Sequence, residues 1–274
     1  MAIKHVARRW IKAAFARAGY TINRRLPGDR PIDVFGLVVR EEAARRNDFT
    51  VIQVGANDGI SHDPLNHYIK QYGWRALLVE PIPSVFSRLT ETYSGFEKVR
   101  LENCAISAVG GTVEMYSVRD DPSLPRYVKE LASLDRRVLL TQKPAVPDIE
   151  DFIEVLTVPA LTFQQLLDKH ELDTVHLVQI DTEGFDFEVL KMVMETSCRP
   201  SIIQFESVHL GPLEIRECAA LLARNGYRYL TVGIDTIAVR DSDVPGGLRA
   251  VDDVRHKAAY RRSSFRVTSE EMVR

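Results

Sequence analysis

Cysteine is scarce: three in 274 residues. Cys104, Cys198 and Cys218 are odd in number and far apart, which excludes a disulfide framework or a CxxC zinc cage. A reducing compartment, and so a cytoplasmic location, is the expectation. Also missing is any apolar run of about 18 residues, so no segment is expected to cross a membrane as a helix. Neither sign of charge dominates. With 36 Lys and Arg against 38 Asp and Glu, there is no global electrostatic footprint for nucleic acid, which is not expected as a partner. A Gly-x-Gly-x-x-Gly turn, a P-loop and a Tyr-x-x-x-Lys pair are all absent, which disfavours dinucleotide and nucleotide-phosphate chemistry.

What is present is ordinary composition, 45% hydrophobic and 27% charged, enough to bury one large core with appendages. Residues 1–25 carry seven Lys and Arg with no acid before Asp29. Ile3, Val6, Trp10, Ile11, Ala14, Phe15 and Ala18 recur at helical spacing, and residues 1–47 read as a basic amphipathic helical extension. Such a helix suits packing on the neighbouring domain, or peripheral contact with an anionic membrane surface through residues 1–25.

From Phe49 the pattern alternates strand and helix. Strands are expected at 50–54, 76–79, 99–106, 155–159, 175–180 and 202–205, with helices at 64–72, 84–93 (capped by Ser84), 162–170, 185–194 and 213–225. A further strand at 112–118 follows Gly110-Gly111, and 227–232 with 234–239 form a closing hairpin. This predicts an α/β fold over residues 48–240, a mostly parallel sheet with helices on both faces and a reversed C-terminal hairpin. Residues 119–150, with four prolines and little periodicity, read as an insertion or lid, and 241–274 as a charged C-terminal extension.

Ligands in such sheets bind beyond the carboxyl ends of the strands, which directs attention to three tips. The turn Val54-Gly55-Ala56-Asn57-Asp58-Gly59 has two glycines that let backbone turn tightly beside a ligand. Glu80 ends the second strand, 25 residues after Gly55, where an acid accepts both hydroxyls of a ribose. Asp181 and Glu183 end a buried strand and point to one side if the chain stays extended. Glu183 would equally complement the N-terminus of the following helix.

The segments VIQVGANDG, LLVEPIPSVFSRL, ENCAIS, VGGTVEMY, VPALTFQQLL, VHLVQIDTEGFDFEVLK and IIQFE resemble, in order and spacing, the FkbM-type S-adenosylmethionine-dependent methyltransferases over roughly residues 49–240. The resemblance implies a Rossmann-like methyltransferase fold and methyl transfer from S-adenosylmethionine, commonly to a hydroxyl of a sugar, glycan or other small molecule. It assigns Gly55, Asn57, Asp58 and Gly59 to the methionine end of the cofactor, Glu80 to the ribose, Asn103, Ala105 and Ile106 to the adenine, and Asp181 to the sulfonium. Two residues depart from the pattern. Gln53 stands where many methyltransferases have an acid, leaving the cofactor's amino group to Asp58 or Asp181. Gln179 stands where this family often has Lys.

A hydroxyl acceptor needs a base, and the candidates are Asp181, Glu183, Glu206, His62 and His209. No metal site is assigned, because Asp181 and Glu183 alone are too few ligands for a divalent ion. Arg119, Arg126, Tyr127 and Lys129 in the insertion are expected to shape the acceptor pocket. The competing readings are an NAD-type oxidoreductase or epimerase on a similar sheet, and a membrane-surface adaptor using residues 1–25.

Overall fold

A computed structural model describes residues 33–244. The proposed N-terminal basic helix and most of the C-terminal extension lie outside the described residues. The first described helix, α1 (Val34–Ala44), is capped by Asp33, whose carboxylate accepts the Gly36 N–H at 2.8 Å. It buries Val38 and Val39 against the sheet, so packing onto the domain begins upstream of residue 48.

The main sheet has seven strands: β1 (Thr50–Val54), β2 (Arg75–Val79), β3 (Val99–Glu102), β8 (Leu177–Ile180), β9 (Ile202–Glu206), β10 (Tyr227–Val232) and β11 (Asp235–Arg240). Its order is β3-β2-β1-β8-β9-β11-β10. The first five strands are parallel, β11 runs antiparallel between β9 and β10, and the pair closes the sheet as the expected hairpin. The strand order turns back at β1, so the crevice between β1 and β8 is the switch point where such sheets bind ligands.

Alternation along each strand feeds two cores. Ile52, Val54, Val178, Ile180, Ile203 and Phe205 pack on one face against α6 (Phe163–His170), α7 (Asp186–Glu195) and α8 (Pro212–Arg224). Val51, Leu78, Leu177 and Ile202 pack on the other against α1, α2 (Asn66–Tyr72) and α3 (Pro83–Thr92). Burying each such side chain contributes about 1.5–3 kcal/mol.

Helix starts follow local chemistry. Ser84 is not the cap of α3: Ile82 takes that place and Pro83 is the first helical residue, its fixed φ and missing N–H suiting it to the first turn. Thr162 does cap α6, its hydroxyl accepting the Gln165 N–H at 3.1 Å while the Gln165 amide oxygen accepts the Thr162 N–H at 2.9 Å. Thr162→Ala is therefore expected to lower stability by about 1 kcal/mol, read from the midpoint of urea unfolding.

Two expectations fail in instructive ways. The strand read over 99–106 is two strands: β3 stays in the main sheet, while β4 (Ala105–Ile106) joins a second one. The break falls at Asn103, whose side-chain amide donates to the carbonyls of Glu80 at 2.8 Å and Pro81 at 3.2 Å. The strand read at 155–159 is also not in the parallel sheet. It is β7 (Ile153–Leu161), lying antiparallel to β5 (Gly111–Val118) in a four-stranded sheet of order β4-β7-β5-β6, with β6 at Ala132–Ser133.

Residues 119–150 are not an open loop. They hold α4 (Arg126–Lys129), β6 and α5 (Arg136–Leu140). Leu124, Val128, Val138, Leu139, Val146 and Ile149 form a small core of their own there. Sequence periodicity misses it because its elements are shorter than two turns.

Candidate active site

A cavity of about 390 Å³ lies at the carboxyl ends of β1, β2, β8 and β9, roofed by the 119–150 segment. Gly55, Asn57, His62, Glu80, Ala105, Ile106, Asp181, Glu183 and Glu206 line it. Asp58, Gly59, Asn103 and His209 are not among its lining residues, although each touches one or shapes a lining segment.

The turn after β1 is built by close approach. Gly55 has φ +84°, and a Cβ there would sit 1.7 Å from the Asp181 carbonyl oxygen. The Gly55 and Ala56 N–H groups both donate to the Val79 carbonyl at 2.9 Å, tying the tip of β2 to the turn. The Glu80 carboxylate then accepts the Asn57 N–H at 3.0 Å and the Ile82 N–H at 2.9 Å. It is 5% exposed, and burial pushes its pKa up to about 7 against those hydrogen bonds.

Asp58 does not serve the cavity. Its carboxylate accepts the N–H groups of Ile60 and Ser61 at 2.9 and 2.7 Å, and pairs with Arg126 at 2.6 Å. Burial opposes these bonds, yet the hydrogen bonds to Ser61 and Ile60 and the Arg126 charge hold its pKa below the ordinary value. Asp58 thus binds the roof to the glycine turn. Ser133 performs the same service on the other side, its hydroxyl donating to the Glu183 carbonyl at 2.6 Å. Of the four insertion residues expected to face the acceptor, Tyr127 alone lines the cavity. Lys129 pairs with Asp120 and Arg119 stacks on Phe152.

Asp63 places a carboxylate beside Gln53, a feature that sequence reasoning passed over. The Gln53 amide donates to one Asp63 oxygen at 3.2 Å, leaving the Gln53 carbonyl oxygen and the other Asp63 oxygen buried without partners. Both residues line the cavity. Burial raises the Asp63 pKa.

A second unanticipated feature is a row of three glutamines. Gln53, Gln179 and Gln204 are direct neighbours in register across β1, β8 and β9. They are 1%, 4% and 6% exposed, and each keeps a buried amide oxygen without a hydrogen-bond partner. The signal was legible: VIQV, LVQI and IIQF repeat one pattern of apolar, apolar, Gln, apolar.

Asp186 links the tips of β8 and β9. Its carboxylate accepts from the Thr182 hydroxyl at 3.0 Å, the Gly184 N–H at 3.2 Å and the Glu206 N–H at 3.3 Å. Burial raises its pKa to about 6. Asp181 lies amid burial, Glu183, Asp186, Glu206 and Asp235, which together push its pKa well above the ordinary carboxylate range. Asn57, His62 and Glu183 adopt left-handed φ of 48°, 56° and 52°. Three of the four such non-glycine residues described thus line the cavity, a cost met where a site over-determines its backbone.

His209 stands between two carboxylates. Its Nε2 stands 3.4 Å from Glu183 and 3.3 Å from Glu206. The adjacent carboxylates of Glu183 and then Glu206 raise its pKa to about 10, outweighing burial. The three donor atoms lie within 4.8 Å of one another, a spacing that would also hold a metal ion. The bridging imidazolium accounts for the spacing by itself. Because the folded-state value lies above that of an unfolded histidine, its stabilisation is complete below about pH 6.5 and fades as pH rises toward 10. The melting temperature of the native chain should therefore fall over that window by a few degrees more than that of His209→Gln.

A parallel sheet reversed by a final hairpin, with a glycine turn and two strand-end acids around one crevice, is a Rossmann-like methyltransferase fold. The profile of the methyltransferase FkbM domain matches residues 53–229, and the chain belongs to that family.

Among solved structures, the fibrillarin pre-rRNA processing protein of Methanococcus jannaschii is similar at 10% identity and TM-score 0.38, covering 72% of this chain and 68% of its own. The precorrin-6y C5,15-methyltransferase of Geobacter metallireducens is similar at 10% identity and TM-score 0.39, covering 77% of this chain and 90% of its own. The N-terminal domain of human METTL16 is similar at 11% identity and TM-score 0.40, covering 81% and 74%. Likeness at this level says nothing of substrate. No curated protein sequence matches the chain significantly.

Proposed function

We propose that the chain O-methylates a hydroxyl of a sugar, glycan or other small molecule. The observation that carries this is the convergence of Glu80, the Gly55 turn and Asp181 on one cavity at the switch point of the sheet. The residues suit the cofactor: Glu80 would accept the hydroxyls of a ribose, and the unpartnered oxygens of Gln53 and Asp63 would suit an ammonium group.

S-adenosylmethionine, when bound, supplies an activated methyl group on a sulfonium centre. The chain's own task is then to position the acceptor in line and remove its proton. Asp181 is the base we assign, since burial and neighbouring carboxylates raise its pKa from the ordinary carboxylate value toward the range a general base needs. Asn103 and the main-chain bonds of the Gly55 turn hold the two strand tips at fixed separation.

Calorimetry on the full chain with S-adenosylhomocysteine tests the reading. Saturable binding in the micromolar range is expected, with none for reduced nicotinamide dinucleotide. Absence of heat at millimolar S-adenosylhomocysteine removes it.

A further inference from the structure

Glu80, Asp63 and Asp181, which would face the cofactor, do not exhaust the cavity. Beyond Asp181 lie Gln179, Glu183, Gln204, Glu206 and Asp235, all lining the same space. The Gln204 side chain lies beside the Asp235 carboxylate. A carboxylate accepts only from an amide's nitrogen, so this neighbour favours the orientation that leaves the Gln204 oxygen unpartnered. The Gln179 oxygen, on the neighbouring strand, is likewise buried and unpartnered. Buried acceptors of this kind cost free energy until a donor reaches them. Those two oxygens are therefore short of hydrogen-bond donors.

The charge balance narrows the ligand further. Among the described residues, no Lys or Arg lines the cavity. A bound cofactor would bring an ammonium and a sulfonium, which Asp63 and Asp181 would offset. His209 offsets one of Glu183 and Glu206, leaving the other, and Asp235, without a cation. Closing a site over uncompensated carboxylates is expensive. A phosphorylated acceptor would add to the like charge.

Resting on the methyltransferase reading, we infer that the pocket between Gln179, Gln204, Glu206 and Asp235 receives a protonated amine of the acceptor, so that the substrate class is an amino sugar or a comparable amino alcohol. The amine donates to the two glutamine oxygens and pairs with the carboxylates beside them. It is thereby held next to the hydroxyl presented to Asp181.

The test uses the full chain saturated with S-adenosylhomocysteine and four matched probes: glucosamine, glucose, N-acetylglucosamine and glucose 6-phosphate. Titration calorimetry should find glucosamine bound about tenfold more tightly than glucose or N-acetylglucosamine, the size of a charge-assisted hydrogen bond. Glucose 6-phosphate should be weakest. In Glu206→Gln and in Gln204→Leu the preference for the amine should shrink below about threefold while S-adenosylhomocysteine still binds, which also shows that each variant is folded.

Equal or tighter binding of glucose, of the acetylated probe or of the phosphate overturns the inference, and so does failure of all four probes to bind. A site filled instead by a divalent ion overturns it too: Mn²⁺ would bind at micromolar concentration, be lost in Glu206→Gln, and leave no preference for the amine. In each of these outcomes the S-adenosylhomocysteine titration reports separately on the methyltransferase reading.

Discussion

Gly55→Ala is expected to abolish binding of S-adenosylhomocysteine and to cost several kcal/mol of stability. The added Cβ would lie 1.7 Å from the carbonyl oxygen of Asp181, far inside van der Waals contact. That oxygen belongs to backbone just past the tip of β8, and the Asp181 N–H is itself held by the Val54 carbonyl at 2.9 Å, so it cannot swing aside. The residue would also keep a φ of +84°, unfavourable for any side chain. Relief requires β1 and β8 to separate at the crevice, which removes the turn that the cofactor sits against. Gly73→Ala is the matched control: its φ of +61° imposes the backbone cost, but nothing lies within 4 Å of the new carbon. It should lose only about 1 kcal/mol and bind S-adenosylhomocysteine normally. Urea unfolding and calorimetry on both variants measure the contrast. Near-equal losses would show that the close approach to Asp181 is unimportant.

The second large effect is expected at Glu80. Glu80→Ala leaves the buried N–H groups of Asn57 and Ile82 without their acceptor and removes the partner of the ribose. Two charged hydrogen bonds are at stake, so affinity for S-adenosylhomocysteine should drop about 100-fold or more. The pH dependence separates the carboxylate's charge from its shape. With a pKa of about 7 in the unliganded protein, the ionised form that accepts two hydroxyls is half populated near neutrality and about a tenth populated one pH unit lower. Apparent affinity in the native chain should thus tighten by about tenfold between pH 6 and pH 8, and the same span should be nearly flat in Glu80→Gln. A native profile independent of pH would mean that Glu80 binds through geometry alone.

The expected acceptor differs from what the insertion's composition suggests. Arg119, Arg126 and Lys129 make the segment look suited to an anionic acceptor, yet the structure commits each to a neighbour: Phe152, Asp58 with Glu130, and Asp120. The surface that remains toward the cavity is acidic and rich in acceptors. Net charge over a stretch of chain is therefore a poor guide to the charge facing a ligand, because ion pairs formed inside the protein cancel first.

Much of the architecture followed from period and punctuation alone. Alternation of apolar runs with helical stripes, the glycines at 55 and 59, Glu80 before Pro81 and the Thr162 cap are local features, each determined by residues within a few positions of one another. For the same reason the crevice itself was legible: a parallel sheet places its strand ends together, whatever the loops do. Tertiary structure alone decided which side chains meet there. Asp63 joins Gln53, Asp186 bridges two strand tips, His209 is locked between Glu183 and Glu206, and three glutamines on separate strands share a row. These depend on sheet register and on the fold of the roof, mostly contacts between residues ten or more positions apart, and apart from the repeated Gln of VIQV, LVQI and IIQF no local pattern encodes which partner a buried polar group will find.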